Sequence, residues 1–215
     1  PALWVKRQSG GRAQLIHAQH PRTAADAYDA IIAQSHDGLD GPNVIKVMGS
    51  MHRITEGDLV AAVARQGTTF EDIPHPTFAI LIGGTNSTYQ MTTEIARRMA
   101  DDLLGLVARS GCGLLVTASR RTGEENLILL RQRLVGPNIY FWDGTGENPY
   151  FAFLAQADVI FVTGDSVNMV SEACFTGKPV YVLPLEGGAG SKFERFHAEM
   201  CAADHTRLFQ GKLTE

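Results

Sequence analysis

Nowhere among its 215 residues does this sequence carry a run approaching the roughly 18 consecutive apolar residues of a membrane-spanning helix. A transmembrane segment is therefore not expected, and no signal peptide is visible. The first residue is Pro1 rather than methionine, so a missing amino-terminal piece is not excluded. Excess positive charge is lacking too: 19 Lys and Arg stand against 23 Asp and Glu, a formal charge of -4. A general nucleic-acid binder presents a basic field, so nucleic acid is not an expected partner, although local basic clusters can still hold phosphates. Cysteine is scarce. Cys112, Cys174 and Cys201 are odd in number, widely spaced and set in apolar or helical surroundings. Buried reduced thiols in a cytosolic protein fit this better than a disulfide or metal site, with peripheral membrane association left open. No Asp-x-Asp motif and no Cys/His cluster suggests a metal ligand set, so no metal or other cofactor is expected.

What is present is ordinary for a folded chain: 44% hydrophobic and 20% charged residues, which argues against disorder and leaves room for one large or two small domains. The best-patterned stretch is Ala157 to Leu185. It reads as a strand (Val159 to Val162), a Thr-Gly-Asp-Ser turn, a helix (about Val167 to Phe175), a Gly-Lys-Pro stop and a second strand (Val180 to Leu183). Both strands are unbroken apolar runs, the mark of parallel strands covered on both faces and joined by crossover helices.

The first part of the chain is less regular. Leu3-Trp4-Val5 reads as the end of an element, Gln14 to His17 as a short strand, Ala27 to Ala33 as a buried strand and Asn43 to Val47 as another. These strands lie closer together than two full βαβ units allow, which suggests the tail of a domain whose beginning is absent. Glu56 to Gln66 has helical spacing, with Thr55 as its cap. Gly67 to Pro76 marks the boundary, giving an incomplete first Rossmann-like domain plus hinge over 1–72 and a second over 73–215. The second is regular: a strand at Phe78 to Ile82, a long amphipathic helix from about Thr88 to Arg109, then strands at Gly113 to Thr117 and Ile139 to Trp142. Helices follow near Glu124 to Leu134, at Tyr150 to Gln156 and, after the focal unit, at Lys192 to Cys201. Five alternations of strand and helix make an α/β fold, a Rossmann-like half-barrel of parallel strands with helices on both faces.

In such a sheet every post-strand loop faces one edge, where ligands bind. Thr163, Gly164, Asp165 and Ser166 stand at a helix start whose N–H groups and dipole favour an anion; the plain alternative is that Asp165 or Ser166 only caps the helix. Glu172, six residues after Ser166, is too far along to cap and can accept hydrogen bonds from sugar hydroxyls across the edge, or else is simply solvated. Gly83, Gly84, Thr85 and Asn86 let backbone approach a phosphate, or form an ordinary tight turn. Ser119, Arg120, Arg121 and Thr122 bring two guanidinium groups suited to bidentate phosphate contacts, against a solvated pair. The loop Asp143 to Tyr150 has the polar and glycine content to wrap a base or sugar. Ser191, Lys192 and Arg195 open the last helix at the same edge, with Phe193 and Phe196 available to the core. Together the five loops point to a diphosphate-bearing ligand.

These residues also carry a resemblance. GGTN, TASRRT, DGTGENPY, TGDSVNMVSEACFTGKPVYV and KFERFH, with HDGLDGPNVIKVMGSMHRIT upstream, look like the bacterial family related to the plant mitochondrial-fission "elongated mitochondria" protein, once labelled predicted nucleoside-diphosphate-sugar epimerases. The motifs span Gln34 to His197. That family is similar to glycosyltransferases of GT-B architecture, with two Rossmann-like domains and a nucleotide-sugar held mainly by the second. The resemblance implies that Glu172 contacts the ribose and that Thr163 to Ser166 lie beside the diphosphate. It also implies that the chain begins inside the first domain and stops, at Gly211 to Glu215, before a closing helix.

Two kinds of function follow. One is metal-independent glycosyl transfer from a nucleotide-diphosphate sugar to an unknown acceptor, with Arg120, Lys192 and Arg195 clamping the diphosphate and His52 as the best available acid/base. A lone His followed by Arg is more often structural, and epimerisation, the sister reading, needs an acid/base pair that the sequence does not display. The other is a non-catalytic scaffold or recruitment module, as the plant relatives' role implies.

Overall fold

The computed structural model describes residues 2–67 and 69–213; Thr68, in the expected linker, lies outside the described residues, as do Pro1, Thr214 and Glu215. Two compact units result, Pro1–Ser50 and Met51–Glu215.

In the first unit, a helix α1 (Ala2–Gln8) precedes strands β1 (Ile16–Ala18), β2 (Ala30–Gln34) and β3 (Val44–Val47). The strands form a parallel sheet in the order β1-β2-β3. Leu3, Trp4 and Val5 thus belong to a helix. The strand expected from Ala27 starts at Ala30, because Ala25–Ala27 is a single 3₁₀ turn. Parallel strands normally need a helical crossover; here short turns suffice because side chains brace them. The Asn43 amide donates to the carbonyls of Ala25 and Tyr28 at 2.9 and 2.8 Å. Asp29 accepts from the Lys6 ammonium at 2.7 Å and from the Leu15 N–H at 2.6 Å, which holds its carboxyl below the usual range.

The second unit opens with α2 (Glu56–Gln66), capped as expected: Thr55 accepts from the Asp58 N–H, and the Asp58 carboxylate accepts from the Thr55 N–H, a reciprocal box. Next come β4 (Thr77–Ile82), β5 (Tyr89–Gln90), α3 (Thr93–Ser110), β6 (Gly113–Ala118), α4 (Glu124–Arg133), β7 (Ile139–Phe141) and α5 (Tyr150–Gln156). They are followed by β8 (Val159–Thr163), α6 (Val167–Phe175), β9 (Val180–Leu183), β10 (Glu186–Gly187), α7 (Lys192–Ala202) and β11 (Arg207–Leu208). Six strands form one open parallel sheet in the order β11-β9-β8-β4-β6-β7. The chain moves from β4 outward to β6 and β7, then crosses back to β8 and outward to β9 and β11. The β4–β8 boundary is therefore the switch point of the sheet.

Strand pleating explains the two-faced core. Phe78, Ile80 and Ile82 of β4 face Ile95, Met99 and Leu103 of α3 and Leu130 of α4. Ala79 and Leu81 face Ala62 of α2, Phe153 of α5, Val170 of α6 and Phe196 of α7. The expected Rossmann-like parallel sheet with helices on both faces is what forms, but as an open sheet ending at β11 and β7. Because α2 shares this core, the compact units divide at 50/51, earlier than the boundary read at 72/73.

Three local readings change. The long helix starts at Thr93, not Thr88, since the Asn86 side chain accepts from the N–H groups of Thr88 and Tyr89 and turns the chain into β5, which pairs antiparallel with β10. β11 was not expected; it is two residues long. Cys112 is buried, but Cys174 is only half-buried and Cys201 is exposed on α7, so the thiols are unpaired without all being interior. Among the described residues no helix is long and apolar enough to cross a membrane.

Phe153 is fully enclosed, with Phe70 edge-on at 5.3 Å and Tyr140 at 6.1 Å. Phe153→Ala should cost about 3–5 kcal/mol, read as a lower urea midpoint with an unchanged denaturant slope.

Candidate functional site

The carboxyl edge at the switch point is organised around one carboxylate. The Asp165 side chain has no solvent exposure. One oxygen accepts from the Thr163 hydroxyl at 2.6 Å; the other accepts from Arg121 Nη2 at 2.6 Å and Nε at 3.2 Å. Thr163 Oγ1 in turn accepts from the Gly83 N–H at 2.7 Å. The Gly83 carbonyl accepts from Ser119 Oγ at 3.0 Å and Thr122 Oγ1 at 2.6 Å. The Asn86 amide donates to the Asp165 carbonyl, and the Thr85 N–H to the Arg121 carbonyl, both at 3.0 Å. The loops after β4, β6 and β8 are thereby closed into one network.

This network explains the two glycines. A Cβ on Gly83 would fall on the Asp165 carboxylate, and one on Gly84, whose φ is +148°, on the Arg121 backbone. The room that a side chain at either glycine would need is taken by protein atoms. Asp165 is not the cap of α6; Ser166 is, its hydroxyl accepting from the Met169 N–H at 3.3 Å.

Gly164, between Thr163 and Asp165, is held from the far side. His197 Nε2 donates to its carbonyl at 2.8 Å, and a Cβ on Gly164 would sit 3.2 Å from that nitrogen. His197 Nδ1 is buried and bonds no described residue, which fits a neutral ring. Burial pushes the His197 pKa below its ordinary value, against the opposing pull of the Gly164 carbonyl and Asp165. Gly164 and His197 also line a cavity of about 450 Å³ with Tyr89, Gly188 and Glu194.

Glu172 is half-buried on α6, and one carboxylate oxygen accepts from the Tyr150 hydroxyl at 2.7 Å. No other donor among the described residues reaches it. Tyr150 is the first residue of α5, directly after the polar Asp143–Pro149 loop, so the end of that loop and α6 are joined by this bond.

The remaining expected residues divide. Ser191 caps α7: its hydroxyl accepts from the N–H groups of Phe193 and Glu194 at 3.2 and 3.4 Å and donates to the Gly188 carbonyl at 2.6 Å. Glu194 takes the Gly190 N–H at 2.6 Å. Lys192, Arg195 and Arg120 are exposed, and Arg120 makes no hydrogen bond or ion pair among the described residues. Arg121, half-exposed, keeps further N–H groups beyond its pair with Asp165. The structure does not bring His52 to this edge. Its ring meets Phe175 edge-on at 5.1 Å, and Phe175 closes the nine-residue α6. At 1.5 Å per residue that end lies roughly 13 Å along the axis from the Ser166 cap. Sequence reasoning missed Tyr150 and His197 as site residues. Tyr150 lay inside the loop read as polar, and His197 ended the KFERFH motif, but no spacing rule links either to its partner. Among the described residues, no group of three or more His, Cys, Asp or Glu side chains is placed to hold a metal ion.

The sequence model of the family described as "Mitochondrial fission ELM1" matches residues 1–215. The chain is similar to the mitochondrial fission protein ELM1 of Arabidopsis thaliana, 27% identical over 202 residues, 83% of this chain and 47% of that protein. It is also similar to the uncharacterized protein RP120 of Rickettsia prowazekii (strain Madrid E), 25% identical over 187 residues, 85% of this chain and 52% of the other. The chain thus spans about half the length of the curated relatives it matches. In structure it is similar to a UDP-GlcNAc 2-epimerase from Methanocaldococcus jannaschii, with a TM-score of 0.60, 11% identity, and 98% of this chain against 62% of that one. MurG from Acinetobacter baumannii gives 0.51, 11%, 99% and 57%. At such identities the likeness is one of fold, and it is the GT-B-like fold that the sequence implied.

Two outcomes test this geometry. Asp165→Asn removes the charge facing Arg121; between the small value of an exposed pair and the several kcal/mol of a buried one, the loss should be on the order of 2 kcal/mol, measured by urea unfolding. For His197 the sign is set by its lowered pKa. Below the ordinary 6.5 the unfolded chain binds the proton more readily, so the stability from the neutral ring is complete above 6.5 and is lost as pH falls toward the folded value. His197→Gln should flatten that part of the stability–pH curve.

Proposed function

The chain belongs to the mitochondrial fission ELM1 family, and we propose that it binds a nucleoside-diphosphate sugar at the carboxyl edge of the six-stranded sheet and transfers the glycosyl group without a resident metal. The observation that carries this is Glu172: a half-buried carboxylate that holds one protein donor on one oxygen and none among the described residues on the other. A carboxylate so placed, beyond a rigid turn at the switch point, matches a ligand with hydroxyl donors at one end and an anion at the other. The diphosphate lies against the Thr163–Ser166 turn and the loop of Gly83 to Asn86. Arg120, the outer N–H groups of Arg121, and Lys192 and Arg195 at the start of α7 stabilise charge on the departing diphosphate. The ribose lies toward Glu172. His52, packed on Phe175, has no part in this chemistry; the acid/base and the acceptor site come from groups not identified in this unit.

A second reading, a scaffold that keeps the fold without the chemistry, is favoured by one observation. Asp165 occupies Arg121, and Ser191 satisfies its own helix, so two of the expected anion contacts are engaged within the protein. The name of the Arabidopsis relative accords with such a role.

Calorimetric titration with UDP, GDP, ADP and their sugar conjugates separates the two. The enzyme reading expects binding with one base preferred, weakened at least about tenfold, or 1.4 kcal/mol, by Glu172→Ala, with a smaller loss in Arg120→Ala. A folded protein that binds none of them at millimolar concentration leaves the scaffold.

A further inference from the structure

Glu172 lies on α6, and the only donor to it among the described residues comes from a different element, the first residue of α5. The Tyr150 hydroxyl is 2.7 Å from one oxygen of the carboxylate, in a part-buried setting. Burial, then the nearby Glu172 charge, push the Tyr150 pKa far above the ordinary tyrosine value, so the phenol keeps its proton at every working pH. The hydrogen bond therefore has one direction, from phenol to carboxylate. A carboxylate has about four lone-pair sites on two oxygens. With one oxygen engaged, the plane of the group is fixed and the other is presented with no described donor. A fixed acceptor of this kind suits two neighbouring hydroxyl donors.

We propose that Tyr150 is a positioning residue that orients Glu172 toward the vicinal hydroxyls of a nucleotide's ribose, so that the pair selects ribose over sugars lacking them. This rests on the nucleotide-binding reading above and assigns Tyr150 a part in it. The selectivity has a physical basis: a site built to pair with hydroxyl groups rejects an analogue lacking them, because its buried acceptor is then left without a donor. A tie that merely joined α5 to α6 would influence every nucleotide alike, whatever its sugar.

The test is calorimetric titration of the wild-type protein, Tyr150→Phe and Glu172→Gln with UDP, GDP and ADP, each beside its 2′,3′-dideoxy counterpart, with thermal unfolding of each variant. Wild type should bind the ribonucleotide at least about tenfold more tightly than the dideoxy form. Tyr150→Phe keeps the ring and loses only the hydroxyl; it should lose most of that preference while binding the dideoxy nucleotide as wild type does. Glu172→Gln, which keeps an acceptor for Tyr150, should lose the preference too, and serves if Tyr150→Phe does not fold. If the wild type binds with ribose preference and Tyr150→Phe retains it, or loses affinity equally for both sugars, Tyr150 is not a positioning residue while nucleotide binding stands. If Tyr150→Phe does not fold, a ribose preference retained in Glu172→Gln overturns the proposal. Failure of the wild type to bind any of the nucleotides overturns both.

Discussion

A buried carboxylate cannot stay charged without donors, and that requirement shapes the edge of this sheet. Asp165 meets it with Arg121 and Thr163, and because Thr163 also accepts from Gly83, satisfying one charge joins three loops that are far apart in sequence. Gly83 and Gly84 are consequences of the same demand, since the carboxylate and the Arg121 backbone occupy the space their side chains would need. His197 adds a clamp from α7 on Gly164. The turn is thus rigid before any ligand arrives, and preorganisation of this kind favours recognition of a ligand with little rearrangement.

The lock also redistributes charge. Arg121, which the sequence offers as a phosphate ligand alongside Arg120, makes its strongest hydrogen bonds inside the protein, so less of its guanidinium than of Arg120's faces solvent. Glu172 stands apart from this balance. Its partner is a neutral phenol rather than a cation, which leaves the carboxylate available to hydroxyl donors. The edge therefore divides into a rigid charge-compensated turn and a separate acceptor, an arrangement suited to an extended, bifunctional ligand.

The elements that proved legible are those in which local chemistry and burial agree. Thr55 with Asp58, the apolar runs of β8 and β9, and the bounds of α5 and α6 can each be read from a few adjacent residues, because capping and helical or strand periodicity are local. β5, β10 and β11 could not. Each is two residues long, shorter than any periodicity, and exists only because a partner strand lies beside it. The start of α3 is hidden for a related reason, since the Asn86 turn that delays it is tied to the Asp165 carbonyl, far away in sequence, and leads into β5, which pairs with β10.

For the site, the sequence by itself determined which residue types gather at the carboxyl edge: strand–loop–helix alternation puts Gly83 to Asn86, Ser119 to Thr122, Thr163 to Ser166 and Ser191 to Arg195 there, and parallel topology permits no other edge. Only the tertiary structure decided what they do to one another. Whether an arginine faces an aspartate or solvent, whether Glu172 has Tyr150 beside it, and that His52 lies at the far end of α6 depend on side-chain positions set by strand order and helix packing. Hydrogen bonds form across a few ångströms between residues tens of positions apart, and the spacing along the chain carries no trace of them.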